Sequence, residues 1–174
     1  LYYSPNIYTG KVTVNAQLSD PAPAGAKLTL HFKTGGVPDA TQAVASGAKE
    51  VEFDVPIANA HLWSLDDPFL YEVDAALSAG GAADHVGTYF GMRKIGVGKL
   101  PGTEFPYVTL NNKPIYLQIT LDQSYHPEGF YTFPSDAFMR DEILRSKRIG
   151  LNANRIHIKV EVPPEAKVSA TSSG

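Results

Sequence analysis

Cysteine is absent from the sequence, and its absence excludes disulfides, thiolate-ligated zinc and thiol nucleophiles. Long apolar runs are missing too. None approaches the roughly 20 residues of a membrane span, so no membrane partner is expected. Positive charge is scarce, with 15 Lys and Arg against 18 Asp and Glu and a net charge of −3. The main basic cluster is Arg145, Lys147 and Arg148, which reads as the end of a helix, and nucleic acid is not expected as a partner. Gly96-Val97-Gly98-Lys99 lacks the remainder of any phosphate-binding loop or dinucleotide fingerprint, and no cofactor is expected. No G-x-S-x-G elbow occurs. The chain opens at Leu1 without the charged and apolar regions of a signal peptide, so an artificial boundary is expected there in preference to a processed end. A bacterial periplasmic or secreted location is expected over a cytoplasmic one.

What remains is a globular composition, 43% hydrophobic and 19% charged. Val12, Val14, Ala16 and Leu18 alternate with Lys11, Thr13, Asn15 and Gln17, the period-2 signature of a half-buried strand. Leu28, Leu30 and Phe32 alternate in the same way after the turn Asp20–Gly25, as do Val51, Phe53 and Val55. Further strands are predicted over Phe69–Leu77 and from His85 to Val97. Short strands at this spacing predict an antiparallel β-sandwich rather than a βαβ array.

The pattern then changes. Phe105–Leu110 and Pro114–Gln118 flank the polar Asn111-Asn112-Lys113, which predicts a hairpin. An irregular stretch follows over Asp122–Pro134. Ser135 or Asp136 can cap a helix whose apolar pairs are Met139 with Ile143 and Ala137 with Leu144. Basic residues in its last turn and Gly150 beyond it suit the helix end. Leu151–Val162 reads as a strand, and the small polar tail 163–174 is expected to be disordered.

Three segments in order resemble the family 2 glycoside hydrolases, the group of β-galactosidases and β-glucuronidases. Leu62-Trp63-Ser64-Leu65-Asp66-Asp67-Pro68-Phe69-Leu70-Tyr71 is similar to the family's "LWSPE-P-LY" signature. Tyr89-Phe90-Gly91-Met92-Arg93-Lys94-Ile95 is similar to its "FGFR-I" strand. Leu110-Asn111-Asn112-Lys113-Pro114-Ile115, continuing to Gly150-Leu151-Asn152-Ala153-Asn154-Arg155, is similar to its "LNGKPI" hairpin and the run-in to the first barrel strand. The resemblance implies a mainly β chain in which residues 1–99 form an immunoglobulin-like β-sandwich and residues 100–162 begin a (β/α)8, or TIM, barrel. It also implies that the opening residues end a preceding sugar-binding domain. Family members hydrolyse O-glycosidic bonds with two glutamates on later barrel strands, so the resemblance implies a fragment holding the supporting sandwich without the catalytic pair.

Period-2 alternation puts Arg155, His157, Lys159 and Glu161 on one face of the last strand, with Ile156, Ile158 and Val160 on the other. Residues at the C-terminal ends of barrel strands line active sites, so the resemblance places Arg155, His157 and Glu161 near a carbohydrate substrate in the parent enzyme. The competing reading is a solvated charged face. Asp122, Gln123, Tyr125 and His126 either contact substrate from the loop or serve its turns. His157 and Glu161 lack a third convergent ligand, so no metal is expected. Adjacent Asp66 and Asp67 point apart on an extended chain and suit a turn. Trp63 reads as a core or interface anchor, with a sugar-stacking platform as the alternative.

Two other functions compete with the fragment reading. One is a stand-alone carbohydrate-binding module. The other is a small esterase built on Ser124 and His126. The apolar face of the 151–162 strand, left with an open edge, is expected to self-associate or to be disordered.

Overall fold

The computed structural model describes residues 1–123, 125–128, 130 and 133–157. They fall into two compact units, Leu1–Ile115 and Tyr116–Gly174. The first unit holds β1 (Tyr2–Asn6), β2 (Lys11–Gln17), β3 (Lys27–Phe32), β4 (Ala40–Ala43), β5 (Glu50–Pro56), β6 (Tyr71–Ala79) and β7 (Ala82–Phe90). It continues with β8 (Ile95–Lys99), β9 (Pro106–Leu110) and β10 (Lys113–Pro114).

Seven of these strands make the expected sandwich. One sheet runs in the order β1-β2-β5 and the other β4-β3-β6-β7, with every pairing antiparallel. Alternation decides which side chains go inward. Val12, Val14 and Ala16 from β2 meet Leu28, Leu30 and Phe32 from β3 and Tyr71, Val73 and Ala75 from β6 in one buried cluster. Each large apolar side chain withdrawn from water contributes about 1.5–3 kcal/mol, and this summed burial holds the two sheets together.

An aromatic column runs through the core. Tyr3 stacks on Phe90 at 4.9 Å between ring centroids, and Phe90 stacks on Tyr71 at 5.1 Å. Tyr71 opens β6, and its hydroxyl accepts the His61 backbone N–H at 2.8 Å. A tyrosine at this corner, bonded to the connection leading into its own strand, is a hallmark of immunoglobulin-like sandwiches. Gly35 makes room for that ring. A Cβ there would sit 2.3 Å from Tyr71 Cε1, and its φ of +79° suits glycine in any case.

Several boundaries differ from the sequence-based expectation. The run from His85 to Val97 is two strands, because the chain turns at Gly91–Lys94 and leaves β6 to pair β8 with β9. The opening residues belong to the sandwich: β1 pairs with β2 along Tyr2–Asn6 and packs Tyr3 into the core. The short β4, Ala-Thr-Gln-Ala, carries too weak a pattern to be read from sequence. The hairpin expected to begin the second part pairs instead with β8 in a β10-β9-β8 sheet, so the units divide at 115/116 rather than at 99.

In the second unit, β11 (Ile119–Asp122) and β12 (Ala153–Ile156) pair in parallel, with α1 (Asp136–Arg148) between them in the chain. The Ser135 hydroxyl accepts the Phe138 N–H at 3.1 Å, and Arg145, Lys147 and Arg148 occupy the last turn. Gly150, φ 91°, follows the helix end. Helix position and caps are therefore as expected, but of the apolar pairs only Met139 is buried. Asn152 adds a side-chain rung to the parallel pair, accepting the Gln118 N–H at 2.9 Å and donating to the Tyr116 carbonyl at 2.8 Å. The tail 163–174, and residues 158–162 of the predicted last strand, lie outside the described residues.

Burial pushes the Tyr3 hydroxyl up to about 12 from 10.0, with Thr88 pulling weakly the other way. The neutral phenol is thus the form the fold favours. Its stabilisation is complete below pH 10 and is lost as pH rises towards 12. Tyr3→Phe is expected to flatten this alkaline loss, read as the difference in urea midpoint between pH 9 and pH 11 in the two proteins.

Candidate functional site

Parallel pairing brings the C-terminal ends of β11 and β12 side by side. The His157 backbone N–H donates to the Asp122 carbonyl at 3.1 Å, extending the ladder one residue past β12. His157 Nδ1 lies 3.3 Å from Gln123 Oε1. A carboxamide oxygen only accepts, so Nδ1 carries the proton, and Nε2 of the neutral ring is left as an acceptor. Arg155 pairs in register with Leu121, and Asp122 with Ile156. Alternation therefore puts Arg155, Gln123 and His157 on one face of the pair and Asp122 on the other. Sequence reasoning grouped Asp122 with Gln123 in the loop; the register sets them on opposite faces, with Gln123 beside Arg155 and His157. Glu161 and Lys159 lie outside the described residues.

The loop beyond β11 is held by its own bonds. His126 and Phe130 exchange backbone hydrogen bonds of 2.7 and 2.8 Å. Tyr125 sits edge-on to Phe130 at 6.1 Å, and His126 edge-on to Phe138 at 4.6 Å. The Glu128 N–H donates to His126 Nδ1 at 3.1 Å, so in the neutral ring Nε2 holds the proton and is not a base. That arrangement opposes a serine–histidine hydrolase built on His126. Its proposed nucleophile, Ser124, lies outside the described residues. Among the described residues no three His, Asp or Glu side chains come together as a metal site.

A second cluster lies in the first unit, where the three distinctive sequence segments converge. Leu62 bridges to Met92, and the Trp63 N–H donates to the Met92 carbonyl at 3.0 Å. The Trp63 carbonyl accepts Asn111 Nδ2 at 2.9 Å, while Asn111 Oδ1 accepts the Lys94 N–H at 2.9 Å. Asn111 and Asn112 form the two-residue turn between β9 and β10 with φ of 49° and 66°, the left-handed pair that such hairpins require. The Arg93 guanidinium lies 4.7 Å over the Trp63 ring, and Gly91 leaves room beside it, since a Cβ there would be 3.3 Å from Trp63 Cδ1. With one face under Arg93, Trp63 is an anchor in this cluster.

Asp67 also serves structure. It pairs with His61 Nε2 at 2.6 Å, and its N–H donates to Ser64 Oγ at 3.0 Å. The Ser64 N–H donates to the Asp67 carbonyl at 2.9 Å, so Asp66 and Asp67 lie in a turn, as the sequence suggested. Tyr8, exposed at the β1–β2 turn, donates to Asn112 Oδ1 at 2.6 Å and accepts from Lys94 Nζ at 2.6 Å. The Lys94 hydrogen bond and positive charge hold its phenol below the usual tyrosine value. Neither the tyrosine corner nor this Tyr8 contact was anticipated. A lone Tyr at a strand start is a legible signal for the first; nothing in the sequence marks the second.

The family model for glycosyl hydrolases family 2 matches residues 1–93. The chain belongs to glycosyl hydrolase family 2. Comparison with curated proteins gives no match. Among solved structures, a Parabacteroides merdae β-glucuronidase superposes with a TM-score of 0.71 at 18% identity, covering 99% of this chain and 22% of its own. A family 2 member from Bacteroides cellulosilyticus gives 0.74 at 19%, covering 97% and 22%. A β-galacturonidase from Eisenbergiella tayi gives 0.71 at 19%, covering 92% and 28%. These likenesses establish a shared fold, and this family 2 chain spans about a quarter of the length of each.

Asn111→Ala removes both carboxamide bonds and places a Cβ-bearing residue at positive φ without compensation. It is expected to cost about 2 kcal/mol, with Asn111→Gly recovering only the backbone part. Urea titration followed by fluorescence of Trp63, the single tryptophan, measures both.

Proposed function

We propose that this chain is the supporting sandwich and the opening strand–helix–strand of an enzyme that hydrolyses O-glycosidic bonds, and that it holds no catalytic pair itself. Family membership carries the reading. The parallel β11–β12 pair supports the second half of it, because substrate groups in such folds collect at the C-terminal ends of parallel strands. On this reading Arg155 and His157 face a carbohydrate from one side of the pair, with Asp122 and Tyr125 nearby in the chain. Glu161 belongs to the same expectation. Retaining hydrolysis needs two carboxyls about 5–5.5 Å apart, and the strand ends supply one described carboxylate, Asp122. One carboxylate cannot serve as both acid and nucleophile in the same step.

A periplasmic or secreted location in a bacterium forms part of the reading. The bacterial sources of the related structures support the second element of it, and cell fractionation tests the first. Among the described residues no helix is long and apolar enough to cross a membrane.

The chain by itself is expected to give no turnover on chromogenic glucuronides, galacturonides, galactosides or simple esters. Turnover lost in Asp122→Asn or His157→Ala would sink the reading. Saturable quenching of Trp63 by an oligosaccharide, without turnover, would favour a carbohydrate-binding module instead.

Self-association through the 151–162 strand is the companion proposal. Ile119, Leu121 and Ile156 are each close to half exposed on a two-stranded parallel pair. Parallel sheets are otherwise covered on both faces. Leu121→Lys is expected to lower light scattering of concentrated samples, and unchanged scattering counts against the contact.

A further inference from the structure

Sheet edges in natural proteins are blunted, because a bare row of N–H and C=O groups pairs with whatever strand it meets. Three of the four edges in this sandwich follow the rule. β4 is four residues long, β1 carries Pro5, and β5 bears Glu50, Glu52 and Asp54 before Pro56.

β7 does not. It is the outer strand of the β4-β3-β6-β7 sheet, nine residues long, without proline or lysine and with Asp84 as its single carboxylate. Its first six residues, Ala82–Gly87, are exposed. Gly87 adds a second observation. Its φ lies outside the left-handed region, and a Cβ there would meet nothing within 4 Å. Neither the backbone nor the packing of this chain calls for glycine, which weakens a strand interior by about 0.5–1 kcal/mol. A strand glycine in open space is compatible with close approach by another backbone.

The strand is also complementary to itself. Two copies of one edge, paired antiparallel about a two-fold axis, must match residues of like parity, so the axis passes through a residue. Val86 is the midpoint of Ala82–Phe90. An axis there overlaps the strands end to end and sets Val86 opposite Val86. Asp84 of each copy then faces Thr88 of the other, and His85 faces Gly87, where the missing side chain leaves space for the imidazole. Like charges do not meet.

We propose that β7 is an interface between two copies of this chain, paired antiparallel about Val86. Two four-stranded sheets then become one continuous sheet of eight, 4 + 4. The contact is isologous and closes after two copies. An edge alone buries less than a standard interface, so the dimer forms in a concentration-dependent way.

Sedimentation equilibrium from about 1 µM to about 1 mM tests this. The weight-average mass of the wild-type chain is expected to climb from 18.8 kDa toward twice that value. Val86→Lys and Val86→Glu put like charges at the axis, and each, combined with Leu121→Lys to silence the β11–β12 contact, is expected to stay near the single-chain mass. Their equimolar mixture is expected to climb again. A wild-type mass that never rises overturns the proposal. So does association that survives Val86→Lys and disappears in Leu121→Lys, which places the contact on β11–β12. Hydrogen exchange needs no variant: amides within 82–90 are expected to slow at least severalfold in concentrated wild-type protein. Exchange there that ignores concentration overturns the proposal equally.

Discussion

The carboxamide of Asn111 makes two bonds on which the first unit depends. Its nitrogen donates to the Trp63 carbonyl and its oxygen accepts the Lys94 N–H. Both partners are backbone groups on segments that leave regular sheets, where a lost bond exposes an unpaired polar group rather than merely a weaker contact. Through this one side chain the Leu62–Tyr71 segment, the turn after β7 and the β9–β10 hairpin are held at a common point. The family signature thus has a physical meaning here. Three stretches far apart in sequence share a pattern because each contributes one piece of the same joint: the Trp63 ring and carbonyl, the Gly91 gap with the Arg93 cap, and the left-handed Asn111.

The second unit is organised differently. Its parallel pair has capped helix ends and an added Asn152 rung, so the local geometry is well specified. Its apolar faces are not matched within the described residues: Ile143 and Leu144 of α1 are as open as Leu121 and Ile156 of the strands. Backbone order and side-chain exposure together describe a unit whose hydrogen bonds are made locally while these apolar side chains stay open. The candidate carbohydrate-facing residues sit on this part, at the strand ends that such a sheet presents.

Much of the sandwich was legible because alternation is a strong signal where one face is buried, as in Val12–Leu18 and Leu28–Phe32. It failed where burial does not alternate. β1 is a half-buried edge interrupted by Pro5, and β4 is too short for a period to register. The break between β7 and β8 was hidden because Val86, Thr88 and Phe90 resemble Ile95 and Val97 in type; the turn at Gly91–Lys94 and the change of partner separate them. At the candidate site the sequence gives residue types and not their arrangement. Register sets which residues share a face of a parallel pair, so Asp122 and Gln123, neighbours in the chain, fall on opposite faces and Gln123 joins Arg155 and His157.

The family pattern has glycine where this chain has Asn112. Its φ of 66° explains the usual choice, since glycine meets no penalty there and asparagine meets only a small one. The exchange adds a side chain at the hairpin tip, and that side chain accepts a hydrogen bond from Tyr8 on the opposite end of a long sequence interval. Drift at position 112 is therefore tied to position 8. A relative that keeps glycine at the tip leaves the phenol at the β1–β2 turn with its Lys94 bond alone, whereas one that carries asparagine gains a second bond by retaining it. The two sites should change together across the family, although neither touches a substrate.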